Sequence, residues 1–147
     1  MIPCQSVHVT SSFPVALGPD EAFPLFTASG ERSWVDGWDP QFPDPTADET
    51  EPGTVFTTTH GGRETTWVVA HREGQRLIAY ANVAPGERAT RVAVALAPSP
   101  EGTTVTVSYD VTALAPGANA GVEEFATHYV EYLEGWRESI ARRAAPR

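Results

Sequence analysis

The stretch Asn119–Arg143, NAGVEEFATHYVEYLEGWRESIARR, sets Val122, Phe125, Ala126, Tyr129, Leu133, Trp136 and Ile140 at three- and four-residue steps. On a helix these positions form one apolar stripe about 100° wide. Such a stripe has to be buried, and covering its larger side chains contributes roughly 1.5–3 kcal/mol each. Glu123 and Glu124 near its start and Arg137, Arg142 and Arg143 near its end suit the helix dipole. The only surface large enough to cover the stripe is the ladder of β-patterned segments between Thr54 and Leu114. This order predicts an α+β fold, a curved antiparallel sheet wrapped around one long C-terminal helix.

Working back from the helix, Val105, Val107, Tyr109 and Val111 alternate with Thr104, Thr106, Ser108 and Asp110, so the strand Thr103–Leu114 has one apolar and one wet face. Two further strands fit Arg76–Val83 and Arg88–Ala97, separated by breakers at Ala84-Pro85-Gly86 and at Pro98-Ser99-Pro100-Glu101-Gly102. At His60-Gly61-Gly62-Arg63 two glycines permit a two-residue hairpin turn. If His60 pairs with Arg63, Phe56 lies opposite Trp67 and Val55 opposite Val68. Val7 to Phe13 alternates as a first strand. Gly18-Pro19-Asp20-Glu21 then reads as a helix start that Pro24 keeps short, ending near Thr27, with another short turn from Glu31 to Val35. Asp39 to Gly53, with four prolines and five acids, reads as a solvated loop.

The chain has 147 residues, enough for one hydrophobic core, so a single domain spanning 1–147 is expected. No apolar run is long enough to span a bilayer and the first residues lack a secretory layout, which predicts a soluble cytoplasmic protein without membrane insertion. A formal charge of −9 opposes nucleic acid as a partner. All ten basic residues are arginine, which excludes a Schiff-base lysine. Cys4 is the only cysteine, so neither an intrachain disulfide nor a cysteine metal cluster is available. His8, His60, His71 and His128 show no ligand spacing, and the acids Asp36, Asp39, Asp44, Asp48, Glu49 and Glu51 lack the spacing of a calcium loop. No metal is predicted, and no cofactor.

The order of a strand, two short helices, a run of antiparallel strands and a long C-terminal helix resembles the helix-grip fold of the SRPBCC superfamily. That superfamily includes START lipid-transfer domains, pollen-allergen-like proteins and polyketide cyclases. Trp34-Val35-Asp36-Gly37-Trp38-Asp39-Pro40, Gly53-Thr54-Val55-Phe56 and Thr66-Trp67-Val68-Val69 look like a bacterial branch of it. The resemblance implies a mainly apolar cavity between sheet and helix that binds a small hydrophobic or aromatic molecule, lipid-like or polyketide-like. Homodimers are common in the superfamily, although no interface is legible in this sequence.

Trp34, Trp38, Phe56, Trp67, Tyr80, Tyr109, Phe125 and Tyr129 are the candidate ligand-binding residues, because an enclosed cavity would be lined by the same inward faces that pack a core. Trp34 and Trp38 stand beside a glycine at the edge of the proline-rich loop, where a pocket mouth would lie. Tyr80 and Tyr109 carry hydroxyls that could orient a carbonyl or phenol. No catalytic residue stands out. Two other readings stay open, a cyclase or aromatase-like enzyme that needs a titratable group pointing inward, and an interaction module resembling chaperone-ATPase activators that would have a filled, dry core.

Overall fold

Alternating apolar and hydroxyl side chains produce a single antiparallel sheet with one dry and one wet face. The computed structural model describes residues 2–45 and 48–144, so two residues of the 39–53 loop lie outside the description. The strands are β1 (Ser6–Val15), β2 (Val55–His60), β3 (Arg63–Glu73), β4 (Leu77–Ala84), β5 (Arg88–Ser99) and β6 (Gly102–Ala113). Their order in the sheet is β1-β6-β5-β4-β3-β2. On the dry face Phe13, Val15, Val92, Val94, Leu96, Val105 and Val107 are buried. On the wet face the β1–β6 register sets hydroxyls opposite hydroxyls, with Ser6–Thr112 at 2.8 Å, Thr10–Ser108 at 3.0 Å and Ser12–Thr106 at 2.8 Å. The hairpin register is the expected one, with Phe56 opposite Trp67 and Val55 opposite Val68. A register shift between Val69 and His71 inserts an extra residue in β3, the kind of irregularity that bends a strand.

Between β1 and β2 lie a single helical turn, α1 (Pro19–Ala22), and two 3-10 turns, Phe23–Phe26 and Gly30–Ser33. Pro24 sits in the first 3-10 turn and limits it, as its missing N–H predicts. The C-terminal helical stretch is divided into α2 (Asn119–Thr127) and α3 (Tyr129–Ala144), where the stripe alone predicts one uninterrupted helix. His128, with φ −103° and ψ 17°, marks the break. Two local bonds account for it. The Thr127 hydroxyl donates back to the Glu123 carbonyl at 3.0 Å, a bond that bends helices. Next to it the Tyr129 hydroxyl donates to the Val107 carbonyl of β6 at 2.5 Å and pins the chain to the sheet. Val122, Tyr129, Leu133 and Ile140 of the stripe are buried, whereas Phe125, Ala126 and Trp136 are half-buried.

The acidic loop is more tightly held than a solvated segment. The Glu49 carboxylate accepts from the Ser29 N–H at 2.7 Å and its hydroxyl at 2.6 Å. Asp48 accepts from the Thr50 hydroxyl at 2.6 Å and N–H at 2.9 Å, and from Arg72 at 3.2 Å. The Thr50 bonds, aided by Arg72, hold the Asp48 carboxyl below the usual carboxylate range. Gln41 also bridges to Thr57, laying the loop against the outer side of β2. No group of acids, histidines and cysteines among the described residues is arranged to hold a metal ion.

Candidate ligand cavity

Two tryptophans next to the 3-10 turns are each fixed by an indole N–H, and they end in different places. The Trp34 N–H donates to the Leu25 carbonyl at 2.7 Å, which draws its ring inward against Phe26 and Trp136, with centroids at 6.0 and 5.3 Å. The Trp38 N–H donates to the Ala28 carbonyl at 2.7 Å and leaves that ring edge-on to Trp67 at 5.6 Å. Trp67 in turn donates to the Thr58 hydroxyl at 3.0 Å and stacks on Phe56, with centroids 5.6 Å apart and planes 8° from parallel.

Beside Trp38 and Trp67 the concave sheet and α3 leave a cavity of about 480 Å³. Tyr80, Val92, Val94 and Tyr109 form its sheet side, Tyr132 and Trp136 its helix side, and Phe26, Glu31 and Val35 contribute from the turns between β1 and β2. Asp36, Gly37, Thr59 and His60 are exposed and lie at the rim. The Tyr80 hydroxyl donates to the Phe26 carbonyl at 2.7 Å, so it is a fixed wall rather than a free donor.

Four of the eight expected residues therefore meet at one cavity, namely Trp38, Trp67, Tyr80 and Tyr109. The other four do not line it. Trp34 is turned into the core by its bond to Leu25, which corrects its expected place at the pocket mouth. Phe56 is 1% exposed and lies under Trp38 and Trp67. Tyr129 is spent on the Val107 carbonyl. Phe125 faces an adjoining groove that shares His60, Trp67, Tyr109 and Tyr132 with the cavity and also involves Arg63 and Arg88.

Sequence reasoning passed over Glu31 and Tyr132 as lining residues. Tyr132 lies three residues after Tyr129 and four before Trp136, so it flanks the stripe and closes the cavity from its edge. Glu31 is placed by the second 3-10 turn, where its carbonyl accepts from the N–H groups of Trp34 at 3.1 Å and Val35 at 2.8 Å. Val35 lies four residues on and lines the same cavity, and that spacing was the available signal.

Glu31 is the chemically distinctive member. Burial pushes its carboxyl well above the usual range. Burial first, and then the Glu31 charge, raise the Tyr80 phenol. At Tyr109 burial leads, followed by Tyr132 and then Glu31. The carboxylate is thus within electrostatic reach of both phenols. A carboxyl raised in the folded state supports folding fully below the unfolded-state value, and that contribution is lost as pH rises through the folded value. Glu31→Gln is therefore expected to be more stable than the wild type near pH 8, with the advantage shrinking to nothing as pH falls below the ordinary carboxylate range. Thermal melts at a series of pH values would check this, and a variant less stable at pH 8 would contradict it.

The model for polyketide cyclase / dehydrase and lipid transport proteins matches residues 6–135 of the chain. Among solved structures, protein MLL2253 from Mesorhizobium loti is similar at 15% identity and a TM-score of 0.69, over 92% of this chain and 98% of that one. Norcoclaurine synthase from Thalictrum flavum is similar at 13% identity and a TM-score of 0.67, over 95% and 86%. The protein SA2116 from Staphylococcus aureus gives 12% identity and a TM-score of 0.70, over 97% and 96%. At these identities the likeness establishes the fold. No curated protein matches the sequence.

Proposed function

Because the chain belongs to the polyketide cyclase / dehydrase and lipid transport family, within the SRPBCC superfamily, we propose that it binds a small, largely aromatic or alicyclic molecule in the cavity between sheet and α3. The observation that carries this reading is the cavity itself, about 480 Å³ with rings from Trp38, Trp67, Tyr80, Tyr109, Tyr132 and Trp136 on its walls. A volume in that range suits one drug-sized ligand, and rings of this kind reward flat apolar surfaces. No helix among the described residues is long and apolar enough to cross a membrane. A cavity of this size also weighs against the interaction-module reading, which a filled, dry core would favour.

The test is isothermal titration calorimetry with 1-naphthalenemethanol, an uncharged bicyclic probe. Micromolar to submillimolar binding is expected, weakened about tenfold or more by Trp38→Ala, because the variant removes one face of the cavity. Trp38 is only half-buried, so the variant should lose less stability than one emptied at a core ring. Unchanged affinity in a folded Trp38→Ala protein would remove that residue from the site.

A second reading, proton-transfer catalysis of a cyclisation, draws support from Glu31. A carboxyl whose burial raises its hold on the proton can serve as a general acid, and the cyclase reading needs such an inward group. Turnover of a poly-β-ketone probe that is lost in Glu31→Gln would support it.

A further inference from the structure

The charged side chains that line the cavity itself are of one sign, while Arg63 and Arg88 lie in the adjoining groove. Glu31 and Asp36 are its acidic lining residues, and no arginine among the described residues lines it. The rest of the chain uses its arginines elsewhere. Arg32, adjacent to Glu31, turns away to Asp39 at 3.2 Å and to the Pro40 carbonyl at 2.8 Å. Arg72 is engaged by Asp48 and Gly74, and Arg137 by Glu134. No hydrogen-bond donor among the described residues reaches the Glu31 carboxylate, whereas Glu49 and Asp48 nearby are each satisfied by a hydroxyl and an N–H.

An unpartnered carboxylate held among aromatic faces has a specific complement. Electron-rich ring faces attract a cation and gain strength as water is excluded. A carboxylate beside them supplies the counter-charge, and its charge-assisted hydrogen bond is stronger than a neutral one. An anionic ligand would meet uncompensated repulsion from Glu31, while a neutral one would leave the Glu31 group with its desolvation unrelieved.

We propose that the cavity selects an organic cation, an aromatic or alicyclic amine whose ammonium pairs with Glu31 while its hydrocarbon part lies against Trp38, Trp67 and Trp136. This rests on the binding reading above and narrows it to a ligand class. An ammonium beside Glu31 would favour its charged form and so oppose the effect of burial on that carboxyl. Besides Glu31, the titratable groups around the cavity are Asp36 and His60 at the rim and Tyr80, Tyr109 and Tyr132 on its walls.

The test is a charge series of one shape at pH 8: 1-naphthylmethylammonium, 1-naphthalenemethanol and 1-naphthoate, titrated calorimetrically into the wild type, Glu31→Gln and Asp36→Asn. The expected order is cation, then alcohol, then anion, with the cation bound about tenfold or more tighter than the alcohol. Glu31→Gln should erase that preference, bringing the affinities for cation and alcohol together. Asp36 is solvent-exposed and screened, so Asp36→Asn should retain the preference. Equal affinities for cation and alcohol in the wild type, or a preference that survives Glu31→Gln or disappears in Asp36→Asn, would overturn the proposal while leaving the cavity as a binding site. Failure of all three probes to bind at millimolar concentration would overturn both.

Discussion

Replacing Phe56 by alanine is expected to cost the fold about 3–5 kcal/mol, the range found when a fully buried aromatic ring is deleted. The ring is 1% exposed and stands at the centre of a cluster rather than at its edge. Trp67 stacks on it at 5.6 Å, Trp38, Tyr80 and Phe42 contact it at 6.3, 6.0 and 5.6 Å, and the aromatic pairs add to the value of the buried area. Three of those neighbours, Trp38, Trp67 and Tyr80, are walls of the cavity. Deleting Phe56 would therefore remove the support behind them, so probe affinity should fall along with stability although the ring never meets the ligand. Chemical denaturation monitored by tryptophan fluorescence would measure the loss. A cost below about 1 kcal/mol would mean that the cluster repacks freely and that the ring is not its support.

This distinction between lining and support explains how far the sequence could be read. Period decided the large elements, because a helix with one apolar stripe and strands with one apolar face can be satisfied only by packing against each other. The hairpin turn at Gly61-Gly62 set the partnership of Phe56 with Trp67, and both were correctly placed on one face. Period does not say which of two inward rings reaches the cavity. Trp34 and Trp38, four residues apart, are separated by which carbonyl each indole N–H finds, Leu25 or Ala28, and those acceptors lie in turns whose path depends on tertiary packing. The break at His128 escaped for a similar reason, since the stripe continues in phase across it and only the bonds of Thr127 and Tyr129 reveal it. Glu31 was hidden by its type. A lone acid in a short polar turn reads as solvent-facing, and only its four-residue spacing from Val35 signals that the turn carries it to an aromatic wall.

Gly30→Ala is expected to be the most damaging small substitution in the chain, at or beyond about 3 kcal/mol, the upper end of ordinary overpacking costs. A methyl group at Gly30 would lie 1.7 Å from the Pro24 carbonyl oxygen and 2.8 Å from its carbon, distances that no rotamer change can relieve because the obstacle is backbone. The close approach is itself built by neighbouring bonds. The Thr27 hydroxyl donates to the Pro24 carbonyl at 2.8 Å and accepts from the Gly30 N–H at 3.0 Å, while the Glu31 N–H donates to the Thr27 carbonyl at 3.1 Å. Displacing Gly30 would open this small ring of bonds and shift Glu31, whose carbonyl anchors the N–H groups of Trp34 and Val35. Stability and cation preference should therefore be lost together, in contrast to Glu31→Gln, which loses the preference but keeps or gains stability. Gly135→Ala provides the control, because its added methyl meets nothing within 4 Å and the residue lies inside α3. There alanine should gain about 0.5–1 kcal/mol from its helix preference. Urea denaturation of both variants, with the naphthyl titrations repeated at a temperature where each is folded, would separate the outcomes. A Gly30→Ala protein with wild-type stability would show that the turn yields without cost. A destabilised one that still preferred the ammonium probe would show that the position of Glu31 does not depend on the turn.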